Sequence, residues 1–165
     1  MFKQLNLVCF LFVTACASAP PKPASLAEKR LTPPELTTTP EQGSQIGSSG
    51  LPGVHTRVLF GDPAKSGFYS VLLYVPAGTT IQAHSHRDDR VATVLSGTWH
   101  FGYGDHFDAA ALKELPPGSI YSEPGLPHNH FARTEAEPVV VHITGYGPTD
   151  THYFNPVDQP EAREP

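Results

Sequence analysis

At 165 residues, with 39% hydrophobic residues, 18 prolines and 14 glycines, the chain carries enough apolar surface for one compact core and no more. Proline and glycine at this density interrupt helices and central strands, which excludes a helical bundle and favours short strands joined by many turns. The formal charge is -5 and the eleven lysines and arginines are scattered, with only Lys29 and Arg30 adjacent, so no basic stripe exists to neutralise a phosphate backbone and nucleic acid is excluded as a partner. Nine histidines against one tryptophan and one methionine is a skewed inventory, and histidine is the commonest metal ligand.

The chain opens MFKQLNLVCFLFVTACASAP, a lysine at position 3 followed by an apolar run from Leu5 to Val13 that is too short to span a bilayer and reads as an export signal. Its end, Val13-Thr14-Ala15-Cys16, resembles the bacterial lipobox, which implies a signal peptide over residues 1–15 and lipidation of Cys16 as the mature N-terminus. The alternative, ordinary cleavage after Ala17, Ser18 and Ala19, would leave Pro20 at the new N-terminus. Alanine rather than aspartate after Cys16 implies, by the same resemblance, the outer membrane of a two-membrane bacterium, facing the periplasm. The membrane is then a partner only through the lipid anchor. Both cysteines, Cys9 and Cys16, lie in this leader, so the folded domain has no disulfide.

Residues 16–50 are rich in Pro, Ser, Thr and Gly without helical or strand periodicity and read as a flexible tether, with residues near Leu31 or Leu36 docking on the domain that follows. That domain covers 51–157, leaving 158–165 as a disordered tail. Within it, apolar runs recur at Val54 to Phe60, Tyr69 to Val75, Val91 to Leu95, Trp99 to Tyr103, Ser119 to Tyr121 and Val139 to Ile143. Turn signals such as Gly61-Asp62-Pro63, Pro76-Ala77-Gly78, Ser96-Gly97 and Pro116-Pro117-Gly118 separate them, the cadence of an all-β sandwich or barrel. The one helical stretch is expected at Phe107 to Leu115, capped by Asp105 or Asp108.

Alternate residues of a strand face the same way, so His84 and His86 point together and can share an ion. A second segment, Glu123-Pro124-Gly125-Leu126-Pro127-His128, turns and presents another histidine at a strand start. These segments resemble the two motifs of the cupins: Gly78, His84, His86 and Gly97 in the first, Gly118, Pro124, Gly125 and His128 in the second, over roughly residues 54 to 155. The resemblance implies an RmlC-like jelly-roll double-stranded β-barrel. It also implies His84, His86 and His128 as ligands of one divalent transition metal (zinc, iron, copper, nickel or manganese).

The chain departs from that pattern at two positions: Arg90 stands where the family places a glutamate ligand, and Ala132 where an asparagine often follows. The expectation is therefore an electropositive three-histidine pocket with open coordination positions. An inward Arg90 would grip an anionic substrate group, or else pair with Asp88 or Asp89 at the barrel mouth, and either aspartate is a candidate fourth ligand. Replacing Arg90 with Glu is expected to rebuild the usual ligand set. His130, two residues after His128, is the reserve ligand or acid-base group, and Tyr121 a candidate proton donor; Arg90, His130 and Tyr121 are thus the catalytic candidates. His100 and His142 read as hydrogen-bonded core histidines, and His55, His106 and His152 as surface residues. The functions implied are a metal-dependent enzyme on a small, anionic molecule, of dioxygenase, isomerase or hydrolase type, or a tethered ligand- or metal-binding sensor module. A homodimer through exposed strand edges is also expected.

Overall fold

The computed structural model of the protein describes residues 25–42 and 47–160. The signal segment 1–15, Cys16 and the end of the tail lie outside the described residues. In chain order the elements are α1 (Pro33–Thr38), β1 (His55–Phe60), β2 (Gly67–Val75), β3 (Thr80–Ser85), β4 (Arg90–Ser96), β5 (Trp99–Tyr103), β6 (Lys113–Leu115), β7 (Ile120–Glu123), β8 (His130–Arg133), β9 (Val139–Gly147) and β10 (His152–Tyr153). They form two antiparallel five-stranded sheets, ordered β1-β2-β9-β4-β7 and β10-β3-β8-β5-β6. This is the two-sheet jelly-roll arrangement that the motifs imply.

Strand alternation builds the interior. Tyr69, Val71, Leu73 and Val75 of β2 meet Val139, Val141 and Ile143 of β9 and Ala92 and Val94 of β4. The facing sheet contributes Ile81, Trp99, Phe101, Leu115 and Ala132. Burial of this set removes large aliphatic and aromatic surfaces from water, each worth roughly 1.5–3 kcal/mol when complete. The polar inward positions are grouped at one end of the barrel, where β3, β4, β7 and β8 bring their histidines, arginine and glutamate.

The stretch expected as helix at Phe107 to Leu115 is a single 3-10 turn, Ala109–Ala111, followed by β6. Asp108 is its cap, its carboxylate accepting from the Ala110 N–H at 2.9 Å. Three alanines supply too little apolar surface to carry a longer helix against the barrel, and the edge of the sheet offers Leu115 a strand partner in Trp99. The helix that does form, α1, begins with Thr32-Pro33-Pro34-Glu35, where the Glu35 carboxylate accepts from the Thr32 N–H and hydroxyl. Leu36 on α1 lines a groove on the outer face of the first sheet with Leu72, Tyr74 and Val140. Leu31 remains exposed. Among the described residues no helix is long and apolar enough to cross a membrane.

Candidate metal centre

The site is built by two local devices, the first a break in the alternation of β3. Ile81 pairs with Ala132 and His84 with His130, so three residues of β3 are spanned by two of β8, and a bulge lies between. Without it His84 would point away from the face that Ile81 occupies; the extra residue re-aims His84 inward, and His86 follows two residues later. The second device is the turn at 124–129. It consumes His128, whose N–H reaches the Gly125 carbonyl at 3.3 Å and whose side chain is exposed, and β8 starts only at His130.

His84, His86 and His130 therefore converge, each buried, with one ring nitrogen of each within 4.8 Å of the others. The structure brings His130, the residue held in reserve, to the other two because strand pairing with His84 sets it facing inward, and it leaves His128, the expected third ligand, exposed in the turn. His130 is thus a metal-ligand candidate rather than an acid-base group.

The protonation chemistry favours a metal. The His84 Nδ1–H donates to the Gln82 carbonyl at 2.8 Å, and the His86 Nδ1–H donates to the Asp150 carbonyl. A carbonyl can only accept, so both imidazoles carry the proton on Nδ1 and present an Nε2 lone pair. Backbone acceptors of this kind are what orient metal-bound imidazoles. The His86 Nε2 and both ring nitrogens of His130 are buried without a hydrogen-bond partner. Burial pushes His84 down to about 3, with the neighbouring His130 adding to the effect, and His130 down to about 3, with Arg90 adding. His86 is likewise driven far below its ordinary value by burial and then by Arg90. Three neutral imidazoles with unspent lone pairs form a donor set that fits a divalent transition metal.

A carboxylate that the sequence does not single out stands beside the three histidines, outside the cluster itself. Arg90 faces inward, and directly opposite it in the ladder is Glu123 of β7. Glu123 is only 4% exposed, and its Oε2 lies 3.9 Å from the His86 Nε2 and 4.0 Å from the His130 Nε2. A carboxylate thus stands beside the imidazoles after all, delivered from the neighbouring strand. Arg90 donates to the same oxygen through Nε at 2.6 Å and through Nη2, and through Nη1 to the Gly47 carbonyl at 2.7 Å. Although burial works against its charge, the Glu123 carboxylate holds Arg90 above its ordinary value. The pocket is therefore not electropositive through Arg90, as expected from position 90 alone; the guanidinium is neutralised by a partner that neither reading of Arg90 named.

Asp88 accepts from the Tyr69 hydroxyl at 2.7 Å and Asp89 from the Gly125 N–H at 2.8 Å, and neither joins the cluster. Tyr121 lies beside Phe101, their ring centroids 4.3 Å apart, and its hydroxyl is buried without a partner, as is the Trp99 indole N–H. Burial and then the Glu123 charge hold the Tyr121 hydroxyl protonated well above its ordinary range, so it keeps a proton to donate. His142 bonds Ser70 at 2.7 Å and His100 lies near Glu135, both away from the cluster. The enclosed space between the three histidines, Arg90, Glu123, Trp99 and Phe101 is about 20 Å³, room for one or two water-sized groups. The aromatic rings, Gly47 and Ser49 close in on this space.

No protein-family model matches the chain, and no curated protein matches it. Solved structures do. The polyketide cyclase RemF from Streptomyces resistomycificus superposes with a TM-score of 0.57 at 16% identity, over 75% of this chain and 84% of that one. The DMSP lyase DddQ from Ruegeria pomeroyi gives 0.50 at 21% identity over 67% of this chain, which spans 57% of the lyase. An RmlC-like cupin from Shewanella frigidimarina gives 0.46 at 20% identity over 57% and 76%. At these identities the first two speak for the fold alone.

Proposed function

Taking the cupin fold of this chain as the premise, we propose that the protein is an exported metal-binding cupin that holds one divalent transition metal on His84, His86 and His130, with Glu123 beside them, and acts on a small anionic molecule. The observation that carries the reading is that His84 and His86 each spend Nδ1 on a backbone carbonyl, which leaves the lone pair on Nε2, and face His130, whose ring nitrogens and the His86 Nε2 are unpartnered. When bound, a metal would supply Lewis acidity and an open coordination position at the centre of the cavity.

The protein's own groups have separable tasks. The Gln82 and Asp150 carbonyls orient two imidazoles. Arg90 holds the Glu123 carboxylate toward them and cancels its charge, so the double charge of a metal would be unbalanced and an anion would be drawn to it. The Tyr121 hydroxyl and Trp99 N–H are unspent donors beside that carboxylate, suited to a developing oxyanion. Phe101 and Ile81 exclude water. Loading the purified chain in turn with zinc, iron, manganese, nickel and copper and measuring bound metal after desalting tests the reading; one equivalent of at least one metal is expected, and none from any would sink it.

The 20 Å³ cavity favours a second reading, in which the barrel holds its metal without turnover and serves as a sensor or store. Oxygen uptake or consumption of small acids, thiols and sugars by the loaded protein would separate the two, since a store leaves every substrate unchanged.

Export with lipidation at Cys16 belongs to the same proposal and rests on Val13-Thr14-Ala15-Cys16. Cys16→Ala is expected to abolish incorporation of labelled palmitate and release the protein from the membrane fraction in its bacterial host. Labelling that survives the substitution would remove the anchor from the account.

A further inference from the structure

Residues Gly47 to Gly50 cross the polar end of the barrel as a strap. Three successive carbonyls of this strap are each held by a side chain of the barrel: Gly47 by Arg90 Nη1 at 2.7 Å, Ser48 by the Thr151 hydroxyl at 2.8 Å, and Ser49 by the Tyr153 hydroxyl at 2.6 Å. Ser48 and Ser49 are both 4% exposed, and Gly47 and Ser49 line the cavity that the three histidines share. The segment expected to be flexible up to residue 50 is thus part of the wall of the site.

Two features make this wall releasable. Among the described residues no backbone group of the strap pairs with a strand, so its attachment is three side-chain hydrogen bonds and no sheet ladder. The space behind it admits only an ion and a water-sized group, so an organic molecule reaches the histidines only after something moves. The strands around the cavity are held by ladder pairing to their neighbours; the strap is not. Moving it would strip Arg90 Nη1 of its acceptor inside the barrel, a state that is costly unless another oxygen arrives.

We propose that Gly47–Gly50 is a lid over the cavity, and that a small carboxylate opens it by taking the place of the Gly47 carbonyl oxygen on Arg90 Nη1. The proposal rests on the reading of this cavity as the ligand site and adds how it is entered and what feature of the ligand is recognised. Arg90 keeps Glu123 through Nε and Nη2 in both states, so only its third contact is exchanged.

Trp99 is the single tryptophan of the chain, is 2% exposed and lines the cavity, so its fluorescence reports entry without requiring a metal. The experiment is acrylamide quenching of Trp99 in the metal-free full chain in mild detergent. Wild type is expected to be shielded. Gly47→Val places a Cβ 2.6 Å from the Thr149 Cγ2 at a residue with φ +81°, so the strap cannot seat and quenching rises several-fold. Tyr153→Phe keeps the ring on His84 and removes only the donor to Ser49, raising the open fraction about fivefold, the effect of losing one ordinary hydrogen bond. This second variant carries the test if Gly47→Val fails to fold. Shielding equal to wild type in a cooperatively folded variant would overturn the lid. Sodium acetate, against sodium chloride at equal ionic strength, is expected to speed amide hydrogen exchange at Ser48 to Leu51 in wild type; no difference would overturn the carboxylate assignment. A chain that opens as described yet binds no metal keeps the lid and loses the metal reading, and one that binds metal with unaltered quenching does the reverse.

Discussion

His130→Ala is expected to abolish metal binding, weakening it by at least about 100-fold, the upper end of what loss of an outer-shell partner alone costs such sites. His128→Ala is expected to leave binding and stability at the wild-type level. The contrast follows from where the two side chains lie. His128 is exposed in the turn before β8, whereas His130 is 1% exposed, with both ring nitrogens unpartnered and its ring centroid 4.4 Å from that of His84 and 5.2 Å from that of His86. Isothermal titration with zinc, with urea unfolding to confirm that both variants fold, reads the difference. Loss of metal in His128→Ala with retention in His130→Ala would mean that the turn at 124–129 is shorter in solution and that β8 begins two residues earlier.

Glu123→Gln is expected to be the most destabilising conservative change in the barrel, costing about 3–5 kcal/mol, because it leaves the Arg90 charge buried without its counter-ion. Arg90→Glu, which the motif alone suggests would restore a ligand, should also destabilise the metal-free protein, since it sets two carboxylates directly opposite each other in the β4–β7 ladder. The pair Arg90→Met with Glu123→Leu separates the structural role from the ligand role. Buried ion pairs are often replaced by apolar residues of similar volume without loss, so the double variant should recover most of the urea midpoint while binding metal more weakly than wild type. Wild-type metal affinity in a stable double variant would remove Glu123 from the ligand set.

The barrel was legible because its signals are local and redundant: apolar runs at strand length, Pro-Gly turns between them, and two motifs, each agreeing with the others. Five expected runs coincide with β1, β2, β4, β5 and β7 to within two residues at either end. The site was legible only in part. His84 and His86 share a face whatever the register, so their pairing could be read from spacing. The third member of the cluster depends on how many residues the turn after Glu123 consumes, and Pro124-Gly125-Leu126-Pro127 permits more than one count; His128 and His130 have the same parity, so alternation does not choose between them. Glu123 was hidden for a different reason. Its role comes from lying opposite Arg90, a cross-strand relation between residues 33 apart that periodicity within either strand does not report. The strap was read as tether because its composition is that of a linker; burial of Ser48 and Ser49 is conferred by partners at 151 and 153, about a hundred residues away. Only α1 had an overlooked local signature, the Thr32-Pro33-Pro34-Glu35 start, short enough to pass as part of a proline-rich stretch.

The central claim is a single metal held between β3 and β8. Anomalous diffraction from crystals of the zinc-loaded protein, collected at the zinc absorption edge, tests it most directly. One peak per chain is expected inside the barrel, about 2.0–2.1 Å from ring nitrogens of His84, His86 and His130 and nearest among the carboxylates to Glu123. A peak at His128, or none within the barrel of a chain that has taken up zinc, would contradict it.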